Sequence, residues 1–169
     1  MIEAAQLKAA VFEEVEADRG ATVQAMLVVV IVAVCTGIGA LQVSGAGPIG
    51  IVYGVVGAIV AWAVWAGITY FVGTTIFKAA GTHADWGQMA RVLGFAQSPG
   101  VLAILGILPA IGDIVFIVAF IWQLLAMVIA VRQALDYTST LRALGVVIVG
   151  AVPYLLFRIF IAFVLERVA

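Results

Sequence analysis

Between Arg19 and Lys78 the chain carries no charged residue. That stretch is far longer than the ~20 apolar residues one helix needs to cross a bilayer. It is broken by Ser44-Gly45-Ala46-Gly47-Pro48, a cluster of turn-forming residues. A second such stretch, Val92 to Val131, holds a single charge, Asp113, and breaks at Pro109-Ala110-Ile111-Gly112-Asp113. Each stretch therefore reads as two crossings. A further apolar run follows Arg142.

These breaks predict an all-α polytopic membrane protein. It comprises a short amphipathic amino-terminal leader helix over residues 1–20 and a membrane domain over 21–169. The domain is a five-helix bundle with spans near 24–43, 49–71, 90–108, 113–131 and 143–165. Composition agrees. The chain is 66% apolar and 10% charged, with mean hydropathy +1.27, whereas soluble domains average about 25% charged residues. That excludes a soluble enzyme and a disordered chain. A net charge of −1 gives no field to draw in nucleic acid.

The third span contains Ser98-Pro99, which predicts a kink whose freed carbonyls find neighbouring donors. A re-entrant segment is the alternative there. Pro153 predicts a second kink, in span five. Thr82 with Asp85 three residues on is a weak helix-start signal.

A cytoplasmic amino terminus places Lys8, Arg19, Lys78, Arg91, Arg132 and Arg142 inside, and only Arg158 and Arg167 outside. Under the positive-inside rule this predicts a multi-pass protein of the cell membrane with its carboxyl terminus outside. The first apolar run follows an acidic leader and is long enough to span, so no cleaved signal peptide is expected.

In the leader, Leu7, Val11 and Val15 recur at helical spacing, with Ala4 and Phe12 beside them and Gln6, Glu13 and Glu16 opposite. Asp18 falls on the apolar side, so the helix should end before it. Lipid-surface helices usually carry basic polar faces, and this one is acidic. Two readings stay open: the leader docks under the bundle against its own inner loops or a basic partner, or it is a solvated helix that ends at the membrane.

Gly50, Gly54, Gly57 and Ala61 line one side of span two, spaced to let helices approach closely. Packing within the bundle is the first expectation and a dimer seam the second. Gly37, Gly39, Gly145 and Gly150 suit similar contacts. Trp62, Trp65 and Trp122 lie away from the span ends, as core or lipid-facing bulk, and Cys35 is a small packing residue.

Asp113 and Arg158 fall at similar depth in the outer leaflet, where an unpaired charge costs roughly 2–3 kcal/mol if central. They form a candidate intramembrane ion pair. Either the pair staples span four to span five, or Arg158 holds a lipid phosphate, or the two line a polar path. Gln123 is a candidate buried polar residue near mid-membrane, expected to hydrogen-bond between helices. Thr36, Thr69, Tyr70 and Tyr154 are further candidates. His83 reads as a loop residue without ligand partners at metal spacing. The chain contains no phosphate loop, zinc-protease motif, nucleophile elbow or cysteine pair. No catalytic residue, cofactor or metal is therefore assigned.

Three segments resemble bacterial members of the Yip (Ypt-interacting protein) family. They are Val11-Phe12-Glu13-Glu14-Val15-Glu16-Ala17-Asp18 with Ala21-Thr22-Val23-Gln24-Ala25, then Asp85 to Gln97 before Ser98-Pro99, then Ile121-Trp122-Gln123-Leu124 leading to Val131-Arg132-Gln133-Ala134-Leu135. The resemblance implies a five-helix integral membrane protein with a cytoplasmic amino terminus and no known catalysis. Eukaryotic relatives bind small trafficking GTPases, associate with one another and help form vesicles. Their long amino-terminal region is nearly absent here, so GTPase binding is not carried over. The expected role is a non-enzymatic membrane scaffold or adaptor, whose partners are membrane lipids, copies of itself or other membrane proteins. The alternative is a small transporter or channel subunit with Asp113, Gln123 and Arg158 near a polar path.

Overall fold

The computed structural model describes residues 1–41, 48–79, 81–82 and 84–168, with only the backbone described for Pro48, Arg158 and 161–168. The turn residues 44–47 and His83 thus lie outside the described residues. Helices dominate: α1 (Ile2–Ala5), α2 (Ala9–Ala17), α3 (Ala21–Gly39), α4 (Pro48–Phe71), α5 (Trp86–Phe95), α6 (Gly112–Ala134) and α7 (Thr140–Val168). A π-helical turn, Val72–Ile76, extends α4, and a 3-10 helix, Ser98–Ile107, follows α5. Four helices are long and apolar enough to cross a membrane, or five when α5 and the 3-10 helix count as one span bent by 41°. The chain is therefore a polytopic helical bundle.

The third crossing departs from an ordinary helix. Pro99 cannot donate to the helical ladder, and beyond it the chain winds as a ten-residue 3-10 helix. Such runs seldom exceed 3–4 residues. At ~2.0 Å rise per residue against ~1.5 Å for an α-helix, this winding stretches the segment. It advances beside α3: Gly94 lies against Ala25, Gly100 against Val32, and Gly106 against Gly39. A re-entrant segment would reverse; this one follows α3 through ~21 Å. At Gly39 an added Cβ would lie 1.9 Å from the Ala103 carbonyl oxygen, so backbone meets backbone. Close approach of this kind is the main packing force between helices in lipid. Pro153 leaves α7 helical, since helix runs continuously from Thr140 to Val168.

The small residues of α4 behave differently from expectation. Gly37, Gly145 and Gly150 pack within the bundle, against Ile51, Phe77 and Ile68. Gly54 and Gly57, in contrast, have nothing within 4 Å of an added Cβ. This part of α4 faces outward, with Val52, Tyr53, Val56 and Val60 exposed. The pattern therefore splits: Gly54 and Gly57 lie on an outer face, whereas Ala61 is buried in the bundle.

The leader also departs from a single helix. Leu7 adopts a left-handed backbone (φ 62°), which separates α1 from α2 and redirects the chain. Helix α2 ends at Ala17, before Asp18 as the pattern requires. Phe12 is completely buried and Val15 nearly so. On the other side of the break, the Trp122 indole N–H donates to the Ala5 carbonyl oxygen at 2.7 Å. Trp122 lies ~16 Å along α6 from Gln133, which meets Glu13 of α2. The leader is thus packed along the side of α6 rather than only beneath the bundle. The three interior tryptophans differ in partners: Trp62 donates to the Ala90 carbonyl oxygen at 2.8 Å, Trp65 stacks edge-on with Tyr154 at 5.1 Å, and Trp122 holds the leader.

Candidate functional site

Two arrangements bring polar side chains together in this apolar chain. The first is a latch between leader and bundle. It starts at Asp85, whose carboxylate accepts from the Gln88 backbone N–H at 2.8 Å while the Gln88 side chain accepts from the Asp85 N–H at 2.6 Å. This capping box fixes the start of α5 at Trp86, so the cap is Asp85 with Gln88 and not Thr82 with Asp85. Thr82 instead donates to the Leu135 carbonyl oxygen at 3.3 Å and accepts from Ala79 N–H.

One and a half turns into α5, Arg91 is only 5% exposed. Its Nε donates to the Val15 carbonyl oxygen at 3.1 Å, and its Nη2 donates to the Glu16 carbonyl oxygen. The last carbonyls of a helix lack partners within it and carry its negative end. A planar, permanently charged guanidinium answers both needs. Gln88 Nε2 donates to Glu16 Oε1 at 3.1 Å, and Gln133 Nε2 to Glu13 Oε1. Glu16 was placed on the outer polar face by periodicity; it is half-buried and turned toward α5. Burial, reinforced by the negative charges of Asp136, Glu13 and Asp85 against the opposing pull of Arg91, raises its carboxyl from 4.5 to about 7.

At the same end of the bundle Tyr137 is buried, and its hydroxyl is shared between the Gly73 and Phe77 carbonyl oxygens at 2.8 and 3.0 Å. It ties the π-helical turn to the α6–α7 connection. The Arg142 guanidinium lies 5.6 Å from the Tyr137 ring centre. Burial pushes the Tyr137 phenol above its usual 10.0, with Arg142 opposing.

The second arrangement is a cavity of about 420 Å³ between α4, α6, α7 and the bend of the third crossing. Trp62, Trp65, Gln97, Gln123, Met127 and Tyr154 contribute to its wall. Gln123 Nε2 donates to the Gln97 carbonyl oxygen at 3.1 Å, beside the Pro99 bend, and Gly100 N–H donates to the same oxygen at 2.8 Å. Trp65 Nε1 is buried and has no hydrogen-bond partner among the described residues.

Asp113 is exposed in the first turn of α6, where a carboxylate complements the helix dipole. The Arg158 side chain lies outside the described residues, and with it the expected pair with Asp113. Asp113 is not part of the cavity wall, whereas Gln123 is. Thr69 bonds within its own helix, to the Trp65 and Ala66 carbonyl oxygens, and Thr36 is exposed. Sequence reasoning missed Arg91, Glu16, Trp65 and Tyr137. For Arg91 a signal existed: it is a lone charge inside an apolar helix opened by Asp-x-x-Gln.

No curated protein and no solved structure shows significant similarity to the chain. The Yip1 domain, however, matches residues 8–160, which takes in α2, the latch, the cavity and all the apolar helices up to Phe160. With the helical bundle and the three segments that resemble this family, the match establishes that the chain belongs to the Yip1 domain family of membrane proteins.

Proposed function

We propose that this protein is a non-enzymatic membrane scaffold or adaptor, oriented with its amino terminus in the cytoplasm. One observation carries the reading. The leader is held as part of the bundle by buried Phe12 and by Arg91, while Glu13, Glu14 and Asp18 stay exposed on it. A docked helix presents its charges as a fixed surface, and an acidic one suits a basic protein segment better than an anionic leaflet. Family membership supports the reading, since the eukaryotic relatives work by association. The six-to-two bias of basic residues supports the orientation.

The test is copurification in native lipid patches, comparing the wild type with Glu14→Lys, whose side chain is exposed. The reading expects a defined protein set to be recovered with the wild type and lost with the charge reversal, at unchanged thermal stability. Recovery of the same set by both would remove the acidic surface from the adaptor role.

A further inference from the structure

A second hollow, separate from the cavity, lies on the outer surface between α4 and α7. This groove of about 740 Å³ follows α4 and its π-helical turn from Val64 to Ile76, and α7 from Ile148 to Pro153. Every described residue of its wall is apolar. Its depth in the membrane follows from its neighbours. Gln123 stands midway along α6, ~16 Å from either end, and shares a cavity wall with Trp62 and Trp65, which lie on either side of Val64 in α4. One end of the groove is therefore near the bilayer midplane. Val64 to Ile76 covers ~18 Å, so the other end reaches the interface, ~15 Å from the midplane. The groove thus runs the depth of a single leaflet.

Two cations stand at its interfacial end. Lys78 is exposed two residues beyond Ile76. Arg142 is exposed in the first turn of α7, and spacings of seven and eleven residues put it on one stripe with Val149 and Pro153 of the wall. Tyr137 links the two: its hydroxyl donates to the Phe77 carbonyl oxygen, next to Lys78, and its ring centre lies 5.6 Å from the Arg142 guanidinium. Arg142 is set against its own helix, whose positive end disfavours a cation and whose first turn holds no acid. Among the described residues the one ion pair is Lys8 with Glu3. Neither Lys78 nor Arg142 is thus paired with a carboxylate there, not even with that of Asp136 beside Tyr137.

We propose that the groove holds one chain of an anionic phospholipid whose phosphate is bound by Lys78 and Arg142. The guanidinium meets phosphate oxygens as a fork, and the ammonium meets them as a point charge. The chain descends past exposed Phe71 and Ile148 to Val64 and Pro153. Basic groups gathered where transmembrane helices reach the interface are what anionic headgroups select. A zwitterionic lipid offsets its phosphate with its own ammonium, which leaves the two cations and the helix end without net compensation. A second copy of the chain fits less well. A two-fold contact through this face would set Lys78 and Arg142 against their own copies at the same depth, like charge on like.

The test places the full chain in phosphatidylcholine nanodiscs with trace phosphatidylglycerol that carries a diazirine in one acyl chain. A matching phosphatidylcholine probe is the control, and cross-links are mapped by mass spectrometry. Expected with the anionic probe are cross-links concentrated on residues 64–76 and 148–153, displaced by unlabelled phosphatidylglycerol and not by water-soluble glycerol phosphate. Lys78→Gln and Arg142→Gln should each lower the preference for the anionic probe about fivefold, one basic residue's share of the attraction at an anionic surface. Val152→Trp, which fills the groove below the headgroup, should cut labelling by both probes. If Val152→Trp does not fold, the two charge variants decide alone. Equal labelling by the two probes, a preference unchanged in both charge variants, or cross-links spread evenly over the outer surface would overturn the proposal. Displacement by glycerol phosphate, or groove residues cross-linked to a second copy of the chain, would overturn it as well.

Discussion

Arg91 Nε donates to the carbonyl oxygen of Val15 at 3.1 Å, which joins the middle of α5 to the end of a leader helix 76 residues earlier. The leader is amphipathic, and its apolar side is docked on the bundle. Ala4, Phe12 and Val15 are buried against the bundle, and its helix end is capped by a charge from another element. Among the described residues the one ion pair is Lys8 with Glu3, 3.0 Å apart and exposed on both sides. Such pairs contribute little, so leader docking rests on Phe12, Val15, Arg91 and the Trp122 bond to Ala5.

Arg91→Ala should therefore release the leader before it unfolds the bundle. It leaves the Val15 and Glu16 carbonyls without their donor, at a cost of about 1–3 kcal/mol. Arg91→Lys should recover only part of this, since an ammonium lacks the guanidinium's planar fork. Amide hydrogen exchange is the measurement. Residues 9–17 should lose protection while α3, α4 and α6 keep theirs; unchanged protection of α2 would mean that the apolar contacts suffice.

Docking should also weaken with rising pH. The Glu16 carboxyl is raised from 4.5 to about 7 in the docked state. Between these values the docked leader binds more protons than the free one, so its stability falls as pH rises through that window and levels off above about 7. Glu16→Gln keeps an acceptor for Gln88 and removes the titration. Protection factors of α2, corrected for intrinsic exchange, should decline from pH 5 to pH 8 in the wild type and stay level in the variant. A parallel decline in both would assign the effect to another group.

Much of this architecture was legible because charge is so costly in lipid that it punctuates the chain. The uncharged stretch around Ser44–Pro48 and the nearly uncharged one around Pro109–Asp113 defined the helix pairs, and the Ser98–Pro99 bend followed from proline's missing donor. The side of contact was less legible. Periodicity identifies a face without saying what covers it, so Gly54 and Gly57 look like Gly37 and Gly39 in sequence but face outward. Glu16 illustrates the same limit at a polar position, since its burial depends on Gln88 and Arg91 from a distant helix. The cavity was not legible at all: its wall joins residues of α4, α6 and α7 with Gln97, and no local pattern announces that meeting.

Orientation is open to direct labelling. Cys35 is buried in α3, and in a Cys35→Ala background a single cysteine reports on one loop. Ala46→Cys should react with a membrane-impermeant maleimide added to intact cells, and His83→Cys only after permeabilisation. The reverse pattern would invert the topology and place the leader outside.

The two kinds of glycine separate packing from association. At Gly39 a methyl group would sit 1.9 Å from the Ala103 carbonyl oxygen, and no rotamer change moves a backbone atom away. Gly39→Ala should thus force α3 from the 3-10 helix and cost at least the ~1–3 kcal/mol typical of overpacking, read as a lower melting temperature in nanodiscs. Gly54→Ala meets nothing within 4 Å, and alanine favours helix by about 1 kcal/mol over glycine, so its melting temperature should hold or rise. Gly54→Leu then tests the outer face. If copies of this chain associate through α4, the larger side chain should shift the protein to monomer in native mass spectrometry without a loss of thermal stability. An unchanged oligomer distribution would exclude this face of α4 from self-association, and a fall in stability would show that Gly54 is packed within the bundle after all.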